Sequence, residues 1–474
     1  MNYLATIGLE VHVQLQTRTK MFCACRTDFG AAPNTQVCPV CLGYPGALPV
    51  INQEAIRLTV MTGLMVGARI SPWSKFDRKN YFYPDMPKNY QITQFDQPLC
   101  LGGAVEINCQ GQSRAVRLTR IHLEEDVAKN MHVRDQSRVD FNRAGHPLME
   151  IVTEPDLHSP EEAFAFLLAL KQILVYGSIS PCNLEEGNLR CDVNCSVRLE
   201  GQNKLGTKTE IKNMNTFKGV YQALTYELRR QISALAAGEE IVQETRRFDT
   251  DRGVTEPMRT KEDAHDYRYF PDPDLMPVAL SAEQIKAWAS LLPELPRQRC
   301  ERLEREYAIP AYDAKVLSAD KHVADFFEET ARGASNPKTV SNWIMTEMMH
   351  LMAAQELEVR QVKITPRALV SLIKLVEAHV INAAGAKTIF ALLFDKGGDP
   401  AELVGQLGLA QVSDTGMLDA LVRQAIDGNP KSVSDYRSGK EAAFKFLMGQ
   451  VMRLSQGKAN PQIVQDLLKK QLGV

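Results

Sequence analysis

Carboxylates and one imidazole are the side chains of this sequence best suited to chemistry. The acidic residues with that potential are Glu10, Glu124, Glu125, Asp126, Glu150, Glu154, Asp192 and Glu210. Hard oxygen ligands in this number suit Mg²⁺, which in turn bridges nucleotide phosphates. His12 follows Glu10 by two residues, so it is either a further ligand or a hydrogen-bonded structural histidine.

Residues 76–95 combine cations with aromatic rings. The cations are Arg78, Lys79 and Lys88, and the rings are those of Tyr81, Phe82, Tyr83, Tyr90 and Phe95. Cations meet phosphate while rings stack on a nucleobase, so the mixture predicts a site for a polyanion that carries a base. The alternative is a loop whose aromatic residues close over a core and whose charges are solvated.

Four of the ten cysteines are spaced as metal ligands. The N-terminal sequence lacks the basic flank and long apolar run of a signal peptide, so thiols or metal ligands are expected before disulfides. Cys23, Cys25, Cys38 and Cys41 form the pattern C-x-C-x12-C-x2-C. Four thiolates suit a tetrahedral structural zinc ion. The first pair is tighter than the common spacing, and buried free thiols are the alternative.

Alternating residues predict the strands that would position the acidic groups. From Thr6 to Leu15, apolar residues alternate with polar ones, which places Glu10 and His12 on one face about 6.6 Å apart along the strand. Residues 189–199 alternate in the same way, and residues 208–212 put Lys208, Glu210 and Lys212 on one side. One polar sheet face of this kind is what a metal–nucleotide site needs, although a wetted sheet face has the same alternation.

Helix signals divide the chain into three predicted domains. Residues 159–162 form a capping box for a helix expected to end at Gly177, and a second helix is expected from Thr216 to Gly238. Two helices among antiparallel-looking strands favour an α+β fold over a doubly wound parallel sheet. Beyond a hinge at 292–296 nearly everything is predicted to be helical, with N-cap signals at Ser318, Asn336 and Thr365. The predicted domains are a catalytic domain (1–292), an all-helical domain (293–405) and a small helical tail domain (406–474).

Composition is that of an ordinary globular protein. The 474 residues are 44% hydrophobic and 24% charged, which allows several buried cores. The most apolar helix candidate, 163–176, is about 14 residues long and too short to cross a bilayer, so a cytoplasmic protein is expected. Net charge is −2, but residues 430–474 hold eight Lys or Arg and three Asp or Glu. This basic tail is either a polyanion contact or a solvated helical face.

The familiar nucleotide and glutaminase motifs are absent from the sequence. There is no Walker A loop, no G-x-G-x-x-G, no Ser-Ser-Lys amidase signature and no evident cysteine glutaminase motif. Instead, blocks spread over nearly the whole chain resemble the GatB family, the B subunits of glutamyl/aspartyl-tRNA amidotransferases. The clearest is 76–95, and the others, in order, are 7–13 (Ile-Gly-Leu-Glu-Val-His-Val), 38–46, 121–126, 185–192, 208–213, 266–271 and 457–461.

The resemblance implies a ligase that forms carbon–nitrogen bonds with glutamine as amido donor. Its catalytic domain would be a cradle of the glutamine-synthetase type with a mainly antiparallel sheet. ATP would phosphorylate the side chain of Glu on tRNA(Gln) or Asp on tRNA(Asn), and ammonia from a partner glutaminase would then displace the phosphate. The partners implied are that glutaminase, which is an amidase, and a third, small protein, in a heterotrimer. Two rival hypotheses are a stand-alone ATP-dependent amide ligase acting on a free amino acid and a non-catalytic tRNA-recognition subunit.

The resemblance and the residue types together give the predicted site. The cofactors would be ATP, Mg²⁺ and a structural Zn²⁺ on the four cysteines. The Mg²⁺ ligand candidates are Glu10, His12, Glu124, Glu125, Glu150 and Glu210, and all of these except Glu124 form the predicted catalytic set. Candidates for binding nucleotide and substrate are Arg78, Lys79, Tyr81, Tyr83, Lys88, Lys208 and Lys212. Candidates for binding tRNA are Lys431, Arg437, Lys440, Lys445, Arg453 and Lys458.

Overall fold

The computed structural model describes residues 2–134, 136–184, 186–258, 267–411, 415–455 and 458–473. Glu185, Asp266 and Gly457, which belong to the blocks that resemble the GatB family, lie outside these described residues. The chain divides into two compact units, Met1–Pro296 and Arg297–Val474. The three predicted domains, with boundaries after residues 292 and 405, stay a prediction.

Strands dominate the first unit, and most of them belong to one large sheet. The described strands are β1 (Tyr3–Gln14), β2 (Arg69–Ile70), β3 (Trp73–Ser74), β4 (Asp77–Asn80), β5 (Tyr90–Thr93), β6 (Cys100–Leu101), β7 (Ala104–Cys109), β8 (Gln112–Glu125), β9 (Lys129–Val133), β10 (Gln136–Asp140), β11 (Pro147–Thr153), β12 (Leu189–Leu199), β13 (Thr209–Lys212), β14 (Glu244–Asp249), β15 (Val254–Pro257), β16 (Phe270–Pro271) and β17 (Val278–Ala279).

The large sheet has β1 near its middle. Its strand order is β15-β14-β13-β12-β1-β11-β8-β5-β4-β16, with β6 and β7 also paired to β8 and β2 paired to β6. Neighbouring strands in this described sheet run antiparallel except β13 and β14, which run parallel. One face of β1 buries Ile7, Leu9, Val11 and Val13 in the core, which leaves the other face to its polar residues. The α+β prediction is therefore confirmed.

Helices of the first unit contribute to the core on the apolar side of the sheet. They are α1 (Gln53–Met65), α2 (Pro160–Tyr176), α3 (Phe217–Ala236) and α4 (Ala282–Ala289). α2 begins as its capping residues predict, because the Ser159 hydroxyl accepts a hydrogen bond from the Glu162 N–H at 3.1 Å. Phe166, Leu167 and Leu170 of this helix are fully buried in the same core as β1.

The described secondary structure of the second unit is helical. Its elements are α5 (Pro296–Tyr307), α6 (Ala311–Leu317), α7 (Lys321–Gly333), α8 (Pro337–Asn342), a π-helical segment (Trp343–Met348), α9 (Met349–Gln355), a 3-10 turn (Val359–Gln361), α10 (Pro366–Glu377), α11 (Ala383–Lys396), α12 (Pro400–Leu407), α13 (Thr415–Asp427), α14 (Pro430–Arg437), α15 (Glu441–Leu454) and α16 (Pro461–Leu472). Two separate hydrophobic cores form within it, one from residues 303–404 and one from residues 418–472. Among the described residues, no helix combines the length and apolar character that a membrane span requires.

Two of the three predicted N-caps of this unit are confirmed. Asn336 caps α8 and Thr365 caps α10, each by accepting from a backbone N–H of the first turn. Ser318 is the exception, because it follows the last turn of α6 as its C-cap. Asp320 caps α7 instead, and its carboxylate accepts from the N–H groups of His322 and Val323. A carboxylate at this position also interacts favourably with the positive end of the helix dipole.

Candidate active site

The polar face of the large sheet gathers carboxylates around one imidazole. β1 pairs with β11 on one side and β12 on the other, so His12 lies beside Glu150 and Glu10 lies beside Asp192. Nε2 of His12 is 3.4 Å from an oxygen of Glu150 and 3.6 Å from oxygens of both Glu10 and Glu124. These five residues are called the polar cluster below.

Like charges are crowded in the polar cluster. Burial, followed by the charge of Glu150, raises the pKa of Glu124 to about 7 and also raises the pKa of Glu10. Burial alone lowers the pKa of His12, but its hydrogen bond to Glu150 and the charges of Glu124 and Glu150 outweigh burial and raise that pKa to about 9. A bound cation would relieve the repulsion that raises the pKa of Glu10 and Glu124, and it would displace the proton of His12, because a coordinating imidazole is neutral.

The donor atoms of the polar cluster fit a magnesium ion. Glu10, His12 and Asp192 offer one set of ligand atoms that lie within 4.8 Å of one another, and His12, Glu124 and Glu150 offer a second. His12 belongs to both sets. Mg²⁺ takes few protein carboxylates and keeps several waters, so either set supplies enough ligands.

Lys79 and a group of aromatic rings border the polar cluster. Burial alone would lower the pKa of Lys79. Neighbouring charges, of which that of Glu124 is the largest, outweigh burial and raise this pKa. Its ammonium lies 4.8 Å from the ring centre of Tyr267, and Tyr269 stacks on Phe95 with ring centres 3.9 Å apart. The rings beside Lys79 are therefore those of Tyr267 and Tyr269, and of the predicted rings Phe95 joins them through its stacking on Tyr269.

Arg78 and Lys88 are paired with carboxylates outside the polar cluster. Arg78 donates to Asp272 and Asp274, each at 2.8 Å. Lys88 forms an ion pair with Glu125, whose carboxylate also accepts from the backbone N–H of Ile92 at 2.9 Å. The structure thus brings Lys88 and Glu125 to each other and does not bring Glu125 to the other Mg²⁺ candidates.

The remaining candidates of the catalytic domain lie around the edges of this face. Glu210 accepts from Thr245 at 2.8 Å and lies 3.4 Å from Lys212, so its two oxygens are engaged outside the polar cluster. Lys212 also reaches Asp192 at 3.2 Å, which links it to the cluster. Lys208 is exposed at the rim of a small cavity. The rings of Tyr81 and Tyr83 lie 6.0 Å apart, and burial raises the pKa of Tyr81 to about 12.

The four spaced cysteines converge as their pattern predicts. Their sulfur atoms lie within 4.8 Å of one another, and those of Cys38 and Cys41 are 3.9 Å apart. A tetrahedral site with zinc–sulfur bonds of about 2.3 Å needs sulfur atoms about 3.8 Å apart, so the geometry fits zinc. A hydrogen bond with Cys23, the N–H of Cys38 and the charge of Lys20 lower the pKa of Cys41 to about 4. The hydrogen bond with Cys41 raises the pKa of Cys23 and burial raises that of Cys25, so Cys41 is the thiolate that would first meet a zinc ion, which would displace the protons of the others.

The candidate tRNA-binding cations lie on the last helices and connections of the second unit. Lys431, Arg437, Lys440, Lys445 and Arg453 are exposed, and Lys458 is partly buried. Lys440 is 2.9 Å from Asp435. Exposure leaves these cations accessible to a polyanion, and their role stays a prediction.

Asp192, which the sequence offered as a candidate acid but not as a Mg²⁺ ligand, belongs to the polar cluster, and His122 is a neighbour of the cluster that the sequence did not single out. Asp192 lies on the alternating polar face of residues 189–199, and this was the available signal for it. His122, which belongs to β8, lies 3.7 Å from Glu150. Burial lowers the pKa of His122 to about 4, so its imidazole is neutral. No spacing rule distinguishes it. Asp126 has a structural role. Its buried carboxylate accepts a hydrogen bond from Gln14 at 2.7 Å and forms an ion pair with Arg190 at 2.9 Å.

Comparison with known proteins places this chain in a family. The family model of the GatB/GatE catalytic domain matches residues 5–286, and that of the GatB domain matches residues 325–472. The chain belongs to the GatB family. It is 51% identical over 473 residues to a protein of Caldanaerobacter subterraneus subsp. tengcongensis named as the B subunit of aspartyl/glutamyl-tRNA(Asn/Gln) amidotransferase, with all of both chains covered. A protein of the same name from Methylacidiphilum infernorum is 52% identical over 484 residues, covering all of this chain and 99% of the other.

Proposed function

We propose that this chain activates and amidates an amino acid while it is attached to tRNA. The substrate is Glu on tRNA(Gln), Asp on tRNA(Asn), or both. The observation that carries the proposal is the polar cluster with Lys79 beside it, on a sheet face of a chain that belongs to the GatB family. Carboxylates and an imidazole whose ligand atoms converge suit a metal–nucleotide site. The neighbouring aromatic rings suit the acylated end of a tRNA.

Amidation of a carboxylate needs activation because its oxygen is a poor leaving group. The side-chain carboxylate attacks the γ-phosphorus of ATP and ADP leaves, which gives an acyl phosphate. Ammonia then attacks the carbonyl carbon, and inorganic phosphate leaves with the electron pair of the broken bond. The protein's contribution to such a transfer is position and electrostatic stabilisation, with little covalent chemistry.

Each part of the site has a role in that reaction. Glu10, His12, Glu124, Glu150 and Asp192 would hold Mg²⁺, which supplies positive charge to the nucleotide phosphates when bound. Lys79 neutralises charge on the transferring phosphoryl group from a partly buried position. The ion pair of Lys88 with Glu125 and the pairs of Arg78 hold the surrounding loop in shape.

Ammonia comes from a partner in this proposal. The sequence contains no recognisable glutaminase motif, and the relatives are named as one lettered subunit of an amidotransferase, which implies an enzyme with several subunits. The partners proposed are an amidase that acts as the glutaminase and a third, small protein, in a heterotrimer. The four cysteines hold a structural zinc ion, and the basic tail, residues 430–474, contacts the body of the tRNA.

The test is substrate-dependent ATP hydrolysis by the assembled complex. Hydrolysis should rise when Glu-tRNA(Gln) or Asp-tRNA(Asn) is added with glutamine, and it should stay at its basal rate with free glutamate or aspartate. Stimulation by the free amino acid would support the stand-alone ligase instead. An assembled, glutaminase-active complex without any ATP hydrolysis would favour the non-catalytic tRNA-recognition subunit.

A further inference from the structure

The segment that carries the second cysteine pair folds as a tight turn. The backbone N–H of Cys38 donates to Sγ of Cys41 at 3.2 Å. Gly43 closes the turn, because its N–H donates to the carbonyl of Val40 at 3.0 Å and its φ is +70°, in the left-handed region that favours glycine. Residues 38–46 are called the cysteine loop below.

The cysteine loop lies directly against Lys88. A Cβ built on Gly43 would lie 2.6 Å from Cγ of Lys88, 3.0 Å from its Cα and 3.2 Å from its backbone nitrogen. Gly43 therefore lies against the backbone of Lys88 as well as its side chain, so a change of lysine rotamer would not make room for a larger residue. Gly46 has a similar φ of +82°, but a Cβ there would meet nothing within 4 Å. The contact with Lys88 thus distinguishes Gly43 from the other glycine of the loop.

Glu125, the ion-pair partner of Lys88, lies close to the same cysteines. Gly145 separates them, since a Cβ on it would lie 3.5 Å from Cβ of Cys41 and 3.9 Å from Oε2 of Glu125. The fully buried Lys20 lies beside Gly145, with its Nζ 3.6 Å from Sγ of Cys41. The side chains of Lys88 and Glu125 are only 10% and 3% exposed, so their pairing depends on a close fit to these neighbours.

The ion pair in turn fixes the strand beside Lys79. Oε1 of Glu125 accepts from the backbone N–H of Ile92 at 2.9 Å, and the Glu125 carbonyl accepts from the side chain of Gln91 at 2.8 Å. Both donors belong to β5, and Gln91 pairs with Lys79 of β4. The place of Lys79 therefore depends on how Glu125 holds β5, and the place of the Glu125 carboxylate depends on Lys88.

We propose that Gly43 is a positioning residue for phosphoryl transfer, because it sets the place of Lys88, which acts through Glu125 and β5 on Lys79. The cysteine loop thereby connects the predicted zinc site to the site of phosphoryl transfer. The inference rests on the proposed function, because its readout is tRNA-dependent ATP hydrolysis. The polar cluster belongs to β1, β8, β11 and β12, and β8 is held by β11 on its other side. Metal binding is therefore expected to survive a shift of β5.

The test compares Gly43→Ala with Gly46→Ala in the assembled complex. Alanine strains the left-handed backbone at both positions, but at position 43 its methyl group also meets Lys88. Ordinary contact needs about 3.5 Å between carbon atoms, so Lys88 must move by about 1 Å, and a misplacement of that size can cost about 100-fold in rate.

Gly43→Ala should lower kcat for tRNA-dependent ATP hydrolysis at least about tenfold. The KM for ATP, the zinc content and the affinity for Mn²⁺, a spectroscopic substitute for Mg²⁺, should stay near their wild-type values. Gly46→Ala should keep all four near wild type. Cys38→Ser, which loosens the loop without adding an atom, is the second variant should alanine impair folding, and it should lower kcat without changing Mn²⁺ affinity.

A double-mutant cycle tests whether Gly43 acts through Lys88. Lys88→Ala removes the ion pair, so it should lower kcat by itself. Adding Gly43→Ala should then cause little further loss, because the connection to Lys79 is already broken. Full additivity of the two losses would overturn the proposed connection.

The remaining outcomes separate this inference from the proposed function. Wild-type kcat in both Gly43→Ala and Cys38→Ser would overturn the positioning role, and so would equal losses in Gly43→Ala and Gly46→Ala, which would assign the effect to backbone strain. A parallel fall of kcat and Mn²⁺ affinity would mean that the loop merely supports the fold. A wild-type complex without tRNA-dependent ATP hydrolysis would refute the proposed function itself.

Discussion

Replacement of Glu150 by glutamine tests the centre of the site. Glu150 lies 3.4 Å from His12, 3.7 Å from His122 and 3.9 Å from Arg120. Burial alone raises its pKa, but these neighbours outweigh burial and lower it to about 2, so the residue is a carboxylate at any working pH. Glutamine keeps the shape and removes the charge.

The expected loss can be scaled from metal sites in general. Removal of a group that only orients a metal ligand typically costs 10–100-fold in affinity or activity. Loss of a ligand's own charge should reach the upper end, so Glu150→Gln should reduce tRNA-dependent ATP hydrolysis at least ~100-fold, or about 3 kcal/mol. Mg²⁺ affinity, measured by titration with Mn²⁺ as a spectroscopic substitute, should fall in parallel.

A matched control lies four residues further along the chain. Glu154 accepts a hydrogen bond from Thr119 at 2.7 Å and is not part of the polar cluster, so Glu154→Gln should retain near-normal ATP hydrolysis. Both variants should hydrolyse glutamine at the wild-type rate, since that reaction is assigned to a partner. The reasoning is refuted if the two variants lose activity equally, or if Glu150→Gln loses metal affinity without losing ATP hydrolysis.

Three further predictions concern parts of the chain outside the polar cluster. Purified protein should contain about one zinc per chain, and Cys38→Ser should lose the zinc and at least ~3 °C of melting temperature, whereas Cys300→Ser should keep both. Burial lowers the pKa of His146 to about 4 from 6.5, so stability should be complete above pH 6.5 and fall by up to about 3 kcal/mol as pH decreases towards 4. His146→Gln should flatten that part of a melting-temperature profile, and an unchanged slope would count against the burial argument. Deletion of 406–474, whose residues 418–472 enclose their own core, should raise the KM for acylated tRNA and reduce the salt dependence of binding without changing glutamine hydrolysis. Unaltered tRNA affinity at matched salt would mean that the basic tail is not the contact.

Sequence patterns predicted much of this fold because strand faces and helix caps depend mainly on residues that are close together in the chain. The alternation around Glu10 and His12 could place only one set of side chains in the core, and β1 and β12 formed accordingly. Ser159 capped its helix because a hydroxyl can satisfy a first-turn N–H wherever the chain begins to coil. Ser318 looked equally suitable, but the preceding helix had already reached it and Asp320 was better placed to cap the next.

The partners of each charged side chain could not be predicted in this way, and Glu124 with Glu125 illustrates the reason. Adjacent residues of a strand point to opposite faces, so both could not join one metal site. Which of them joins depends on the strands that lie beside β8: Glu124 reaches His12, and Glu125 meets Lys88 from a loop nearly forty positions earlier. The register of β8 against β11 fixes this choice, and register is a property of the assembled sheet. A sequence can therefore name the acids of such a site, but only the pairing of its strands decides which ones face the metal.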